Sequence, residues 1–295
     1  MMQAGRRPTR RGLLLLLPIA AIVVAMPGIA NALPGSVQSP LIQFERDAEG
    51  VKTNPFTSAD SSIVHFTDSI GDGLNVFNGE PGFDGHGLFV LPDDEGRLVI
   101  EFDVPIKKIR LAFGNDDNGV ADPGDVAILT AWRGATMVDS ATVEMNVNDL
   151  PDQVIGVSGT TFRRVELVYS RGDTPLTLTE GVDDIRVAPV CTIKGTNSRD
   201  RIEGTAKSNS ICGFEGKDRI NAKNNNDFAH GGGGADRIKG GSGGDTLLGG
   251  NGGDVLRAQD GVAGNDTIYG GDGNDTCYVD TDDFYLSCEE VFVSI

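Results

Sequence analysis

Two rhythms of apolar and polar residues divide this chain. Between residues 36 and 190, short apolar runs at 41–44, 63–66, 88–91, 98–104, 109–113, 126–132, 142–147, 162–169 and 184–187 are separated by Gly, Pro, Asn and Asp. Several alternate strictly, as in Leu98, Ile100 and Phe102 or Val165, Leu167 and Tyr169, which is the period of a strand with one buried face. No amphipathic helix of useful length interrupts them. The segment therefore reads as a β-sandwich domain, with a jelly roll as its preferred form.

After residue 190 the rhythm changes to one apolar residue every nine positions: Ile202, Ile211, Ile220, Ala229, Ile238, Leu247, Leu256, Ile268 and Cys277. Two residues before each stands Asp200, Asn209, Asp218, Asp227, Asp236, Asp245, Asp254, Asp266 or Asp275, with three extra residues, Ala258, Gln259 and Asp260, interrupting the series once. Five residues before each of these comes Gly195, Gly204, Gly213, Ala222, Gly231, Gly240, Gly249, Gly261 or Gly270, glycine with one exception. Such a unit predicts a turn followed by a very short strand. Glycine allows positive φ and close backbone approach, and the single apolar residue points inward. One inward residue per unit makes no core alone, but stacked units do. The bland alternative is a flexible Gly/Asp-rich linker. A linker has no reason to keep an apolar residue in phase throughout.

This pattern resembles the RTX, or haemolysin-type, calcium-binding repeats, with motif GGxGxDxUx and U a large apolar residue. The strongest copies are GGGGADRIK (231–239), GGSGGDTLL (240–248), GGNGGDVLR (249–257) and GGDGNDTCY (270–278). The copies GTNSRDRIE, GTAKSNSIC and AKNNNDFAH depart at glycine positions, and Asn209 replaces the carboxylate in the second. The resemblance implies a parallel β-roll in which two nonapeptides make one coil and calcium lies between a turn and its equivalent one coil later. Its implied ligands are Asp200, Asp218, Asp227, Asp236, Asp245, Asp254, Asp266 and Asp275, with Gly231, Gly234, Gly240, Gly243, Gly249, Gly252, Gly270 and Gly273 shaping the turns. The implied pairs are Asp218 with Asp236, Asp236 with Asp254, Asp227 with Asp245, Asp245 with Asp266, and Asp254 with Asp275. The chemistry suits calcium, a hard cation that takes about six to eight carboxylate and carbonyl oxygens. Without metal the rows of carboxylates repel, so the array is expected to stay disordered until calcium binds.

Charge sharpens the picture. The chain has 295 residues, 43 acidic and 25 basic, for a net charge of −18. Residues 33–190 hold 26 acids and 11 bases, and residues 191–295 hold 17 and 10. So negative a balance argues against nucleic acid and anionic membrane partners.

The amino terminus reads basic, then apolar from Leu13 to Met26, then Ala30-Asn31-Ala32, the pattern of a secretory signal peptide over residues 1–32 cleaved after Ala32. A membrane span is the alternative, and the run is short for one. Thr9-Arg10-Arg11-Gly12-Leu13-Leu14 also looks like a twin-arginine signal, so the export route stays open. The mature chain is expected to be secreted, with no membrane span. Its domains are then a jelly-roll-like sandwich over 36–190 and a calcium-binding β-roll with a C-terminal cap over 191–295.

All four cysteines fall in or beside the repeats. An even count in an exported chain suggests disulfides, and pairing Cys191 with Cys212 and Cys277 with Cys288 would cap a solenoid's open ends. Two other connectivities remain open. A zinc site lacks the CxxC spacing. The tail after Tyr278, rich in aromatic and β-branched residues, predicts a last strand or two over the open end.

Phe44-Glu45 with Val182-Asp183-Asp184-Ile185 looks like the first and last strands of extracellular jelly-roll modules of the carbohydrate-binding and MAM-like kind. That resemblance makes Glu45, Asp183 and Asp184 a second candidate calcium site, beside the plain alternative of solvated strand ends. The loop Gly114-Asn115-Asp116-Asp117-Asn118-Gly119, with Asp122 and Asp125, suits metal or sugar hydroxyls but lacks the EF-hand spacing. A solvated loop is the stronger reading there.

Catalytic signatures are weak. Gly240-Ser242-Gly244 fits a nucleophile elbow but sits inside a repeat, without the strand-to-helix context. The histidines are His65, His86 and His230, with no HExxH pair, and Arg171-Gly172-Asp173 spells an adhesion tripeptide of little information. The expectation is a non-catalytic, secreted or surface calcium-binding protein whose sandwich holds a glycan or other surface ligand. An extracellular hydrolase with its active site in the middle domain is the rival.

Overall fold

Alternation over residues 98–113 builds the longest apolar face of the first module. In the computed structural model, which describes residues 41–44, 47–70, 73–78, 86–90, 96–114, 124–146, 153–172, 174–176 and 181–294, that stretch is a single strand, Leu98–Gly114. Reading 98–104 and 109–113 as two strands is corrected: Pro105, taken as a break, sits inside the strand, where its carbonyl accepts the N–H of Val190. Its neighbour Gln153–Arg171 is longer still, and the ladder between them slips near Ser158, Phe162 and Arg164. Such irregularities bend a strand and increase its twist.

These two strands carry different neighbours at their two ends. The start of Leu98–Gly114 pairs with Val64–Asp68, and its end pairs with Gly181–Pro189. The antiparallel sheet runs Gly50–Lys52, Leu74–Asn78, His86–Val90, Gly181–Pro189, Leu98–Gly114, Gln153–Arg171, Asp125–Arg133, Thr136–Glu144. Leu41–Ile42 lies against Gly181–Pro189, as first and last strands of the module. Apolar residues from both ends of the sheet, among them Phe66, Leu74, Val90, Leu111 and Leu167, share one core.

The repeats form the predicted solenoid, with two six-stranded parallel sheets. A near sheet comprises Ile193–Lys194, Ser210–Glu215, Phe228–Gly233, Thr246–Asn251, Thr267–Asp272 and Phe284–Leu286. A far sheet comprises Arg201–Glu203, Arg219–Asn224, Arg237–Ser242, Val255–Arg257, Thr276–Asp280 and Glu290–Ser294. The apolar residue of every nonapeptide enters the core between them. The tail after Tyr278 extends each sheet by one strand. The interruption of the series falls differently from the sequence alignment: Ala258 is fully buried in the core and fills the slot assigned to Gly261. The extra residues bulge after Ala258, because an alanine methyl fits inside the roll as Ala222 does.

The near sheet's other face is covered along its middle strands. Phe228 and Leu248 are buried in the sandwich core, and Tyr269 packs against it. Polar links follow: Ser62 Oγ to Thr246 Oγ1 at 3.1 Å, and Asn226 Nδ2 to Asp103 Oδ2 at 2.7 Å. Residues 33–295 form one compact unit. Truncating Phe228 to Ala should therefore cost about 3–5 kcal/mol in thermal unfolding. A wild-type midpoint for that variant would show that the modules are not coupled. Among the described residues no helix is long and apolar enough to cross a membrane. The signal segment and Glu45 lie outside the described residues.

Candidate metal-binding turns

Each strand of the solenoid ends in a turn that the next coil copies, so equivalent aspartates stack. The Oδ1 of each accepts the backbone N–H of its counterpart one coil earlier. In one ladder Asp200 donates to Asp218, Asp218 to Asp236 and Asp236 to Asp254, each at 2.7 Å, and Asp254 to Asp275 at 2.8 Å. In the other, Asn209 donates to Asp227 at 2.6 Å, Asp227 to Asp245 at 2.9 Å and Asp245 to Asp266 at 2.6 Å. Every pair expected one coil apart is thus in contact.

The second oxygen is different. Oδ2 of Asp218, Asp227, Asp236, Asp245, Asp254, Asp266 and Asp275 is buried and has no hydrogen-bond partner. Seven such atoms are a large liability, since a buried unpaired carboxylate is among the costliest groups a fold can hold. Burial, acting first, pushes the carboxyl of Asp236 up to about 6, Asp227 and Asp254 to about 7, Asp245 to about 8 and Asp266 to about 9. Asp218 and Asp275 are raised for the same reason. The first-position glycines face these oxygens: a Cβ on Gly213 would lie 2.5 Å from Asp218 Oδ2, and one on Gly249 the same distance from Asp254 Oδ2. Gly231, Gly240 and Gly270 stand likewise against Asp236, Asp245 and Asp275. Gly234, Gly243, Gly252 and Gly273 hold φ between +115° and +144°, the conformation reserved for glycine.

A hard divalent cation fits this donor set. Among the described residues no three His, Cys, Asp or Glu side chains converge as a cluster, so a bound calcium would draw on stacked carboxylates and complete its shell with the turn carbonyls. The first coil lacks the same opening. Asp200 Oδ2 already accepts the N–H and hydroxyl of Thr196 at 2.6 and 2.8 Å, and Asn209 Oδ1 accepts the N–H of Thr205 at 2.7 Å. Threonine after the first glycine closes these two turns internally.

Two ladder members escaped the nonapeptide reading. Asp283 Oδ1 accepts the N–H of Asp266 at 3.2 Å, and Glu289 Oε2 that of Asp275 at 2.7 Å. Both cap a ladder at the last coil. The 17-residue step from Asp266 to Asp283 is the signal that would have found the first.

The disulfides join Cys191 to Cys212 and Cys277 to Cys288, one at each end of the solenoid. Reduction should lower its stability by about 3 kcal/mol per bridge, read as an earlier melting transition in dithiothreitol. An unchanged transition would assign the end coils no share in cooperativity.

Asp183 is buried and its Oδ1 accepts the N–H of Asp184, while Asp184 Oδ1 accepts Gln43 Nε2 at 2.9 Å. Of the loop after Gly114, Asp125 is described, fully buried in a two-pronged pair with Arg171 at 2.6 and 2.8 Å. The arginine of the adhesion tripeptide is thereby engaged. Asp173 and residues 115–123 lie outside the described residues. His65 bridges Thr57 Oγ1 at 2.7 Å and Asp103 Oδ2 at 2.8 Å.

Stacked acidic turns on a parallel solenoid define a cation-binding repeat. Residues 194–229, 223–256 and 260–283 match the family model of the RTX calcium-binding nonapeptide repeat, and the C-terminal region carries those repeats. No curated protein matches the chain. Among solved structures, an arabinose-bound α-L-arabinofuranosidase, MgGH51, is 12% identical with a TM-score of 0.34, covering 54% of this chain and 28% of its own. TmCBM61 in complex with β-1,4-galactotriose is 10% identical with a TM-score of 0.28, covering 43% of this chain and 88% of its own. The catalytic unit of an α-1,3-glucanase from Streptomyces thermodiastaticus is 11% identical with a TM-score of 0.24, covering 77% and 59%. The chain spans little more than a quarter of the first of these proteins.

Proposed function

We propose that the protein is an exported, non-catalytic calcium-binding protein, in which calcium folds and stiffens the solenoid and a jelly-roll-like sandwich holds a glycan or other surface partner. The observation that carries this is the pair of aspartate ladders with seven buried, partnerless carboxylate oxygens. Calcium enters at the turns where that oxygen is open, and the Asp200 and Asn209 turns stay closed by their threonines. Two disulfides support an oxidising compartment.

The test is a calcium titration of the whole chain by circular dichroism and calorimetry, beside Asp236→Ala with Asp245→Ala. A gain of β signal with calcium but not magnesium, weakened in the double variant, supports the proposal. Equal signal with and without calcium, and no heat of binding, would remove it.

One observation favours the rival hydrolase: Thr57, His65 and Asp103 are joined by hydrogen bonds, as a nucleophile, a base and the carboxylate that orients it are. Turnover of a polysaccharide or peptide that disappears in His65→Ala would favour an enzyme. Turnover that persists in that variant would not.

A further inference from the structure

The far sheet turns one face outward, and parallel register lines its side chains into rows along the solenoid. Arg201, Arg219 and Arg237 stand opposite one another in the first row, which Val255, Thr276 and Glu290 continue. Glu203, Asn221, Lys239, Arg257, Tyr278 and Phe292 form the second. Lys223 stands beside them, in register with Gly241. Neighbouring members are about 4.8 Å apart, the spacing of paired strands.

Six of the solenoid's ten basic side chains, Arg201, Arg219, Lys223, Arg237, Lys239 and Arg257, are therefore exposed on one face. Nine of its 17 carboxylates are buried. Glu203 meets two of the cations, Arg201 at 3.5 Å and Lys223 at 3.6 Å. Among the described residues Arg219, Arg237 and Lys239 have no ion-pair partner. Like charges directly opposite on a sheet are destabilising, so the row of arginines costs stability that local structure does not return.

Two further features share the face. A cavity of about 440 Å³ opens between Lys223, Lys239, Asn221, Ser242, Gln259 and Asp260. Asp260 is engaged by Gly243 N at 3.0 Å and Asn265 Nδ2 at 3.3 Å, Asn221 Nδ2 donates to Glu203 Oε2 at 3.0 Å, and Gln259 Nε2 donates to the Val279 carbonyl at 3.4 Å. That leaves the Lys239 ammonium, the two amide oxygens and the Ser242 hydroxyl to face a ligand, with Lys223 shared with Glu203. At the far end Tyr278 and Phe292 stack at 4.9 Å, with Arg257 over the Tyr278 ring at 3.9 Å. Phe292 is half exposed.

We propose that this face binds a polyuronate, a linear polysaccharide with a carboxylate on successive sugar rings. The arginine forks match carboxylates, the amides and hydroxyl of the cavity match sugar hydroxyls, and the Phe292 ring offers a flat apolar platform for a pyranose. Single-stranded nucleic acid is the poorer match, because each base wants its own stacking platform and the aromatic pair lies at one end. The surface is separate from the sandwich, and its arginine row from the calcium turns, while its cavity borders one such turn through Ser242 and Asp260, so it adds a second ligand to the proposed function.

Binding of soluble oligogalacturonate to the calcium-loaded full chain would be measured by calorimetry at low and high salt, with methyl-esterified oligogalacturonate, a single-stranded oligonucleotide and phosphatidylserine vesicles in parallel. The expected result is salt-sensitive binding of the uronate alone, weakened about tenfold or more in Arg219→Ala/Arg237→Ala/Lys239→Ala. Arg133→Ala, an exposed cation of the sandwich, should bind as wild type. Circular dichroism in calcium accompanies each variant. Should the triple variant lose its β signal, Arg219→Gln/Arg237→Gln keeps the side-chain stems and must show the same loss. No uronate binding, binding indifferent to these variants, or preference for the oligonucleotide or the vesicles would overturn the proposal.

Discussion

Calcium-free protein, stripped by dialysis, should lose its solenoid at pH 8–9 and regain it on acidification to about pH 4.5, whereas calcium-loaded protein should be folded at pH 8. Both halves come from the same seven carboxylates. A group whose folded-state pKa lies above its unfolded value binds protons more tightly when folded. Its stabilising contribution is complete below the unfolded pKa, 3.8 here, and is lost as pH rises through the folded value. For Asp236, Asp227, Asp254, Asp245 and Asp266 those folded values run from about 6 to about 9, so the loss begins above 3.8 and is complete only near pH 9. The five carboxyls act in the same direction, so their losses add across that range. His230 acts in the opposite sense: burial lowers it from 6.5 to about 4, so it removes stability as pH falls through that range. With Asp280, whose carboxyl the Ser294 hydroxyl lowers, it stands against the raised carboxyls of seven repeat aspartates in the ladders. The proton and the cation are alternative ways of neutralising the ladders, so calcium affinity should weaken as pH falls. Circular dichroism against pH with and without calcium reads all of this. A calcium-free protein with one β signal from pH 4.5 to 9 would show that the orphaned oxygens cost nothing.

The sequence made the solenoid legible because its core positions, turn glycines and carboxylates are each tied to the same nine-residue step. One register error followed where the step was broken, and burial of Ala258 rather than glycine spacing corrected it. The weak first repeats were also visible, and the structure gives the reason. Phe214 and Lys223 stand in register with Gly232 and Gly241 and hold φ at 73° and 91°, a backbone that costs a side-chain-bearing residue roughly 1–3 kcal/mol. The coil geometry is imposed there by the stronger repeats above. The sandwich was legible only as a set of alternating strands. That Leu98–Gly114 runs through Pro105, and that Phe228 and Leu248 belong to the sandwich core rather than the roll's, depends on long-range pairing that alternation does not encode. The basic face was hidden for a related reason: an overall charge of −18 averages over rows that only parallel register separates.

Replacing Gly252 with alanine should be among the most damaging single changes in the solenoid. Its φ of +132° lies outside what an L side chain tolerates, and an added Cβ would drive into the carbonyl of Gly234. Gly234 in turn rests on Gly216, and Gly273 rests on Gly252, so the glycines form a column of touching backbones. The carbonyl cannot retreat without displacing the coil beneath it. Backbone strain of about 1–3 kcal/mol adds to overpacking of about 1–3 kcal/mol, giving roughly 2–6 kcal/mol at one methyl. Gly261 is the internal comparison. It also holds positive φ, at +87°, but nothing lies within 4 Å of its Cβ position, so Gly261→Ala should incur strain alone. Calcium-dependent melting of the two variants separates these terms, with Gly252→Ala falling well below Gly261→Ala and needing more calcium to fold. Equal losses would mean that the glycine column serves backbone conformation only, and that the coils have room to part.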